Sequence, residues 1–270
     1  CWRRSIRHGV HHGLIRLRLC AMNHDLTHPA RPVRDGVCLH VQQLTKQFHL
    51  GPDTEDSAAV EVLKQVEFTV MAGEMVALLG VSGSGKSTLV QIIGTLDHPT
   101  AGHVWLNGMD VFTLSQPQRA AFRNRHIGFV YQSHRLLPEF SALENVMMPL
   151  LIRRMPVVRA REQAADALAS VGLEARRHHR PGQMSGGEQQ RVAIARAIVT
   201  DPDLLLADEP TGNLDGHATW KIFDLLRHLN QTRRLTCVMV THNQELADRL
   251  DRRLHLVDGA LVEDSGRQIP

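Results

Sequence analysis

Five apolar residues stand in a row at Met75-Val76-Ala77-Leu78-Leu79, and the run breaks straight into glycine. Two more compact runs, Leu204 to Ala207 and Thr236 to Thr241, have the same form, and Ile127 to Tyr131 is a fourth. Short runs without polar alternation are the pattern of strands buried on both faces. Val37 to Leu44 and Val60 to Val70 also read as strands, split by the polar loop Gly51 to Ser57. A hairpin is predicted where His103 to Leu106 meets the Asn107-Gly108 turn, and a second at Asp258-Gly259 near the end of the chain. A helix is predicted from Lys86. Apart from Ile127 to Tyr131, residues 117 to 182 lose the strand pattern and read as mainly helical, with Arg159 to Ser170 ended by Gly172. Strands alternating with helices predict an α/β fold. Its core sheet is mainly parallel, an antiparallel β layer precedes it, and a helical insertion interrupts it.

Composition sharpens this picture in three places. The chain has 270 residues, 43% of them hydrophobic, enough for a single large α/β domain with a substantial core. Its longest apolar runs, such as Val146 to Ile152, fall far short of the roughly 20 residues a spanning helix needs. The net charge of +3 is unevenly distributed: residues 1 to 36 carry seven arginines against Asp25 and Asp35, which leaves 24 basic and 26 acidic residues in the remainder. A basic body suited to nucleic acid is therefore not what the sequence predicts. Residues 1–36 read as a disordered basic leader outside the folded domain, with Met22 as the expected start. A transit or membrane-surface segment is the other reading, weakened because no apolar stretch follows the arginines. The folded domain is expected over 37–266, with a helical subdomain at about 133–183. Cys1, Cys20, Cys38 and Cys237 have neither ligand nor disulfide spacing and fit free thiols in a reducing compartment.

The chemistry is concentrated after the first compact run. Gly80-Val81-Ser82-Gly83-Ser84-Gly85-Lys86-Ser87, followed by Thr88, fits the phosphate-binding pattern G-x-x-x-x-G-K-[ST]. Glycines let the backbone wrap a polyphosphate, Lys86 can neutralise the β and γ phosphates, and the Ser87 hydroxyl can coordinate Mg²⁺. A chance match is roughly a 1% event in a chain of this size, and the strand before and helix after supply the required context. Leu204-Leu205-Leu206-Ala207-Asp208-Glu209 is an apolar strand ending in two carboxylates, at the edge where open α/β sheets bind ligands. Asp208 can hold Mg²⁺ through water, and Glu209 is placed to polarise an attacking water. Taken alone, the pair could be a solvated acidic turn; the phosphate loop argues against that.

A second glycine-containing helix start lies about 100 residues further on. Met184-Ser185-Gly186-Gly187-Glu188-Gln189-Gln190-Arg191 closely resembles the signature of the ABC ATPases, usually Leu-Ser-Gly-Gly-Glu-Gln-Gln-Arg; the Met184 departure keeps volume and apolarity. The resemblance covers residues 37 to about 264 and implies the ABC ATPase fold on a P-loop NTPase core. It further implies a homodimer in which each ATP is held between the phosphate loop of one subunit and Ser185, Gly186 and Gly187 of the other. By the same resemblance Gln132 reaches Mg²⁺ and the attacking water, and Asn213-Leu214-Asp215 crosses the dimer interface. His242 sits near the γ-phosphate, and Phe48 takes the place of an adenine-stacking tyrosine. The runs from His134 to Val146 and from Ala207 to Asp215 resemble the subgroup containing the LolD, MacB and FtsE ATPases. They imply a peripheral ATPase on the cytoplasmic face of a bacterial inner membrane, working with LolC/LolE-like permease subunits in lipoprotein release. A peptide or drug exporter and a cell-wall signalling complex are the alternatives within the subgroup. Outside it, a GTPase lacks its Asn-Lys-x-Asp base reader here, and DNA-repair ATPases of the type lack their intervening heptads. Two-cassette translation factors would need a second copy of the motifs.

Overall fold

A computed structural model describes residues 36–50 and 58–266. The leader through residue 35 and the polar loop, 51–57, lie outside the described residues, and with them the expectations of disorder and of a start at Met22. Strands β1 (Val37–Leu50) and β2 (Ala58–Met71) open the described chain as an antiparallel pair. Next come β3 (Met75–Leu79), α1 (Lys86–Ile93), β4 (Ala101–Leu106), β5 (Met109–Asp110), α2 (Gln116–His126) and β6 (Ile127–Tyr131). The helical stretch follows as α3 (Ala142–Ile152), α4 (Val157–Ser170) and α5 (Gly186–Ile198). The chain then runs through β7 (Leu204–Asp208), α6 (Gly216–Arg233), β8 (Thr236–Val240), α7 (Gln244–Ala247), β9 (Arg252–Val257) and β10 (Ala260–Gly266).

Two sheets result. The smaller is antiparallel, ordered β2-β1-β4-β5, and the larger is ordered β10-β9-β3-β8-β7-β6, parallel from β9 to β6 with β10 as an antiparallel edge. Three of the compact apolar runs are the inner strands β3, β8 and β7 of the larger sheet and the fourth is its edge strand β6; alternate residues of the inner strands supply two different cores. Val76 and Leu78, Leu204 and Leu206, and Val238 and Val240 face a core shared with the small sheet and α1. Leu205, Ala207, Cys237 and Met239 face the helices α3 to α6. Both faces are covered, so the sequence shows no alternation. The Asn107-Gly108 turn holds φ of 52° and 78°, the two positive values a tight hairpin turn requires. Burial pushes the Cys237 thiol up to about 12, which makes it unreactive. Among the described residues no helix is long and apolar enough to cross a membrane.

Two expectations need correction. β1 does not stop near Leu44 but continues to Leu50, past register shifts between Val41 and Lys46 and a φ of 47° at Gln43. The bulge shifts the side-chain phase, so the alternation is lost although pairing resumes. Proline has no N–H to donate and would be expected to interrupt a helix, yet Pro149 lies inside α3. The helix ends three residues later, so few bonds are at stake, and the Pro149 carbonyl accepts from Asn124 Nδ2 at 3.2 Å.

Candidate nucleotide site

The chain must turn from β3 into α1 through residues 80–85. Gly80, Gly83 and Gly85 hold φ of 153°, 83° and 100°, conformations that disfavour any side chain. Two of them have a second reason. A Cβ on Gly80 would stand 2.3 Å from the Leu256 carbonyl oxygen, and one on Gly85 would stand 2.8 Å from that of Val62. The loop is therefore seated directly on the backbones of β9 and β2. Gly83 has no atom within 4 Å of where its Cβ would be, so that side of the loop is an open cradle. Helices α3, α5 and α6 have their first N–H groups capped by Ser141, Ser185 and Asp215, whereas Gly85 brings no acceptor to α1, whose first turn holds no acidic residue. The donors left at the start of α1 suit an anion. Lys86 Nζ donates to the carbonyls of Gly80 and Val81, both at 2.7 Å, which draws its charge over the loop.

Asp208 ends β7 and Glu209 follows it with φ 50°, an uncommon conformation for a non-glycine residue. The Glu209 N–H donates to the Val240 carbonyl at 3.0 Å, pinning this turn to β8, and its carboxylate meets His242 Nδ1 at 2.9 Å. Burial and the neighbouring Glu209 charge hold the Asp208 carboxyl above the usual carboxylate range, against the opposing pull of Arg135 and Lys86. A divalent cation would relieve that excess of negative charge. Ser87 and Asp208 are hard oxygen donors of the type Mg²⁺ takes while keeping its waters and phosphate ligands, so the residues fit it.

The remaining expected residues divide. His242 joins Glu209, as described. Gln132 instead pairs with Asn213: its Nε2 donates to Asn213 Oδ1 at 3.1 Å, and Asn213 Nδ2 returns a bond to the Gln132 carbonyl at 3.2 Å. No hydrogen bond brings Gln132 to Ser87 or Asp208. Phe48 is 42% exposed on β1, with Lys46 Nζ 4.8 Å from its ring centre, so it is not a core phenylalanine. Asp215 caps α6 by accepting from the Ala218 N–H at 2.8 Å.

Ser185 caps α5 in a closed capping box: its N–H donates to Glu188 Oε2 at 2.8 Å and its hydroxyl at 2.9 Å. Those bonds from Ser185 hold the Glu188 carboxyl below the usual carboxylate range. A cleft of about 380 Å³ opens beside this helix start, lined by Ser185, Gly187, Arg191, Asp215, His217 and Lys221 among others. A Cβ at Gly186 or Gly187 would meet Leu214 or Ala218 at 3.6 and 3.7 Å, ordinary contact distances. Packing within the chain therefore does not demand glycine at either position. Among the described residues, no hydrogen bond or ion pair joins residues 80–88 to residues 185–187.

Reading the sequence missed Gln190 and His134. Gln190 is fully buried on α5, and His134 Nδ1 is bonded to its side chain. The available signal was a glutamine on the apolar face of a helix, between Gly187 and Ala193–Ile194.

The family model described as ABC transporter matches residues 63–212. The lipoprotein-releasing system ATP-binding protein LolD of Bordetella pertussis (strain Tohama I) is 52% identical over 233 residues, spanning 86% of this chain and 99% of that protein. LolD of Geobacter metallireducens (strain GS-15) is 52% identical over 226 residues, 84% of this chain and 98% of its own. Among solved structures, a dimeric post-hydrolysis state of the ATP-binding cassette MJ0796, bound to ADP and Pi, superposes with a TM-score of 0.76. Its identity is 38%, covering 84% of this chain and 98% of that one.

Proposed function

The chain belongs to the ABC transporter family of ATP-hydrolysing subunits, and from that premise we propose that it drives lipoprotein release from a bacterial inner membrane. The observation that supports this reading is the match to LolD along nearly that protein's whole length. In the proposed mechanism, the open side of the 80–85 loop, the first N–H groups of α1 and Lys86 bind the triphosphate. Phe48 offers its exposed ring to the adenine. Ser87 and Asp208 would hold Mg²⁺, which when bound would neutralise phosphate charge. Glu209 orients the attacking water and takes its proton, and His242 fixes the Glu209 carboxylate through its 2.9 Å bond. Gln132, bonded here to Asn213, would offer a further oxygen to Mg²⁺ and reach the attacking water. Two copies of the chain close two sites about a two-fold axis, each completing the other's phosphate loop with Ser185, Gly186 and Gly187. Co-expression with LolC/LolE-like membrane subunits should give ATP-dependent release of lipoproteins from proteoliposomes. If the complex hydrolyses ATP and releases none, the cargo assignment is wrong and a peptide exporter or cell-wall signalling complex takes its place.

The glycines of the signature supply one test of the dimer. Gly187→Ala should leave the melting temperature unchanged or raise it by about 2 °C, because alanine favours the helix by up to about 1 kcal/mol and the contact is ordinary. ATP turnover should fall by about tenfold or more, because the added methyl stands where the partner's nucleotide approaches. A variant that is equally active would show that nothing approaches Gly187.

The stretch from Gln132 to Leu151 is the proposed seat of the membrane partner. Val146, Met147 and Leu150 are buried, as expected of an insertion core, whereas Leu137 and Phe140 are 40% and 37% exposed. Asn145, fully buried, holds the turn that presents them: it accepts from the Leu137 N–H and donates to the carbonyls of Leu137, Phe140 and Ser141. Leu137→Asp or Phe140→Asp should fold and bind ATP normally and lose both co-purification with the membrane subunits and stimulation by them. Normal coupling in these variants would move the docking surface elsewhere.

A further inference from the structure

Gln190 is the only hydrogen-bonding side chain in the described α5 that is fully buried, and each of its polar groups is engaged by a different segment. Nε2 donates to the Pro210 carbonyl at 2.7 Å and to the Tyr131 carbonyl at 3.4 Å. Oε1 accepts from His134 Nδ1, which sets the imidazole as a donor at that nitrogen. Pro210 follows Glu209 directly, and Tyr131 directly precedes Gln132. The helix that carries Gln190 is capped five residues earlier by Ser185. One amide thus ties together the loop of the catalytic carboxylate, the start of the Gln132 segment and the signature helix. A second clamp lies further along α5, where Arg196 donates to the carbonyls of His134 and Arg135 at 2.8 and 2.7 Å. Arg135 itself holds a φ of 48° and stacks its guanidinium 3.8 Å from the centre of the Tyr131 ring.

We propose that the His134–Gln190 pair is a positioning device that makes the signature of each subunit follow the state of that subunit's own hydrolytic centre. A buried amide is costly unless every group is paired, and an apolar residue of similar volume would fill the same space without that demand. A helix transmits displacement of Gln190 to its N-terminus as a rigid body, and in the proposed dimer that end faces the other subunit's nucleotide. The two sites of the dimer are coupled through this amide. The inference rests on the dimeric reading above, and residues that touch no nucleotide carry it.

His134→Leu removes the imidazole donor and leaves the Gln190 oxygen unpaired, while His134→Asn restores an N–H at about the same place. In a Glu209→Gln background, which separates assembly from turnover, His134→Leu should raise the ATP concentration for half-maximal dimer formation by about tenfold, read by sedimentation. Binding of a fluorescent ATP analogue to the dilute monomer should stay within about twofold. With Glu209 intact, His134→Leu should lower the Hill coefficient for ATP towards one, and His134→Asn should recover most of both effects. Gln190→Met should reproduce the leucine variant. Dimer formation and cooperativity unchanged in His134→Leu would overturn the proposal. So would loss of monomer binding and melting temperature in parallel, which marks the pair as packing alone. If the parent Glu209→Gln chain itself formed no ATP-dependent dimer, the dimeric reading would fail instead.

Discussion

Glu209→Gln is expected to lower ATP turnover by about 10²-fold or more while nucleotide binding persists and the ATP-bound dimer accumulates. The physical case rests on how little else the change touches. Glu209 occupies its strained turn, at φ 50°, because its N–H is held by Val240 and its carbonyl accepts from the Gly212 N–H at 3.0 Å. Glutamine keeps both backbone bonds and can still accept from His242 Nδ1. What it loses is the capacity to take a proton from water. Removing the charge next to Asp208 also removes one of the two causes that hold that carboxyl high, so the metal side of the site is eased and not damaged. Steady-state hydrolysis and size-exclusion chromatography with ATP give the two readouts. Normal turnover would transfer the role of base to another group, and a variant that turned over slowly but bound no ATP would place Glu209 in binding.

Lys86→Ala should act at the opposite end of the cycle. Its ammonium is bonded only to the loop's own carbonyls, Gly80 and Val81, so the loop keeps its seat on β9 and β2 without it. The fold should therefore survive. A charge-assisted bond to phosphate is worth about 1.5–3 kcal/mol, so ATP affinity should fall by roughly 10- to 100-fold. Equilibrium binding measured in parallel with thermal melting separates the two contributions. Unchanged affinity would remove Lys86 from the site.

How much of this could be read in the residues follows from what each feature depends on. The phosphate loop depends on contiguous residues, and its strand, glycines and helix stand in order at 75 to 93, so it was legible. The position of Glu209 was legible because it directly follows a run of apolar residues that is buried on both faces. Its bond to His242 was not, since the two are 33 residues apart and meet only because β7 and β8 are neighbours in the sheet. The expected approach of Gln132 to the metal came from resemblance; the structure pairs it with Asn213, a contact with no trace in local spacing. β1 outran its expected end because a bulge hides continued pairing, and Pro149 remained in a helix because it falls in the last turn. Gln190 went unread because a buried amide is meaningful only through partners at 131, 134 and 210, which no periodicity brings together.

The central claim is that a working site needs two chains, and mixing two inactive variants tests it most directly. Lys86→Ala impairs the phosphate loop and Ser185→Arg blocks the signature, so neither homodimer holds an intact composite site. A mixed dimer puts both lesions in one site and leaves the other site intact. Combining the purified variants should therefore restore ATP hydrolysis to a substantial fraction of wild type, rising with protein concentration as heterodimers form. If the mixture stayed as inactive as its components while heterodimers were demonstrably present, or if either variant alone kept full activity at high dilution, the two-chain site would be contradicted.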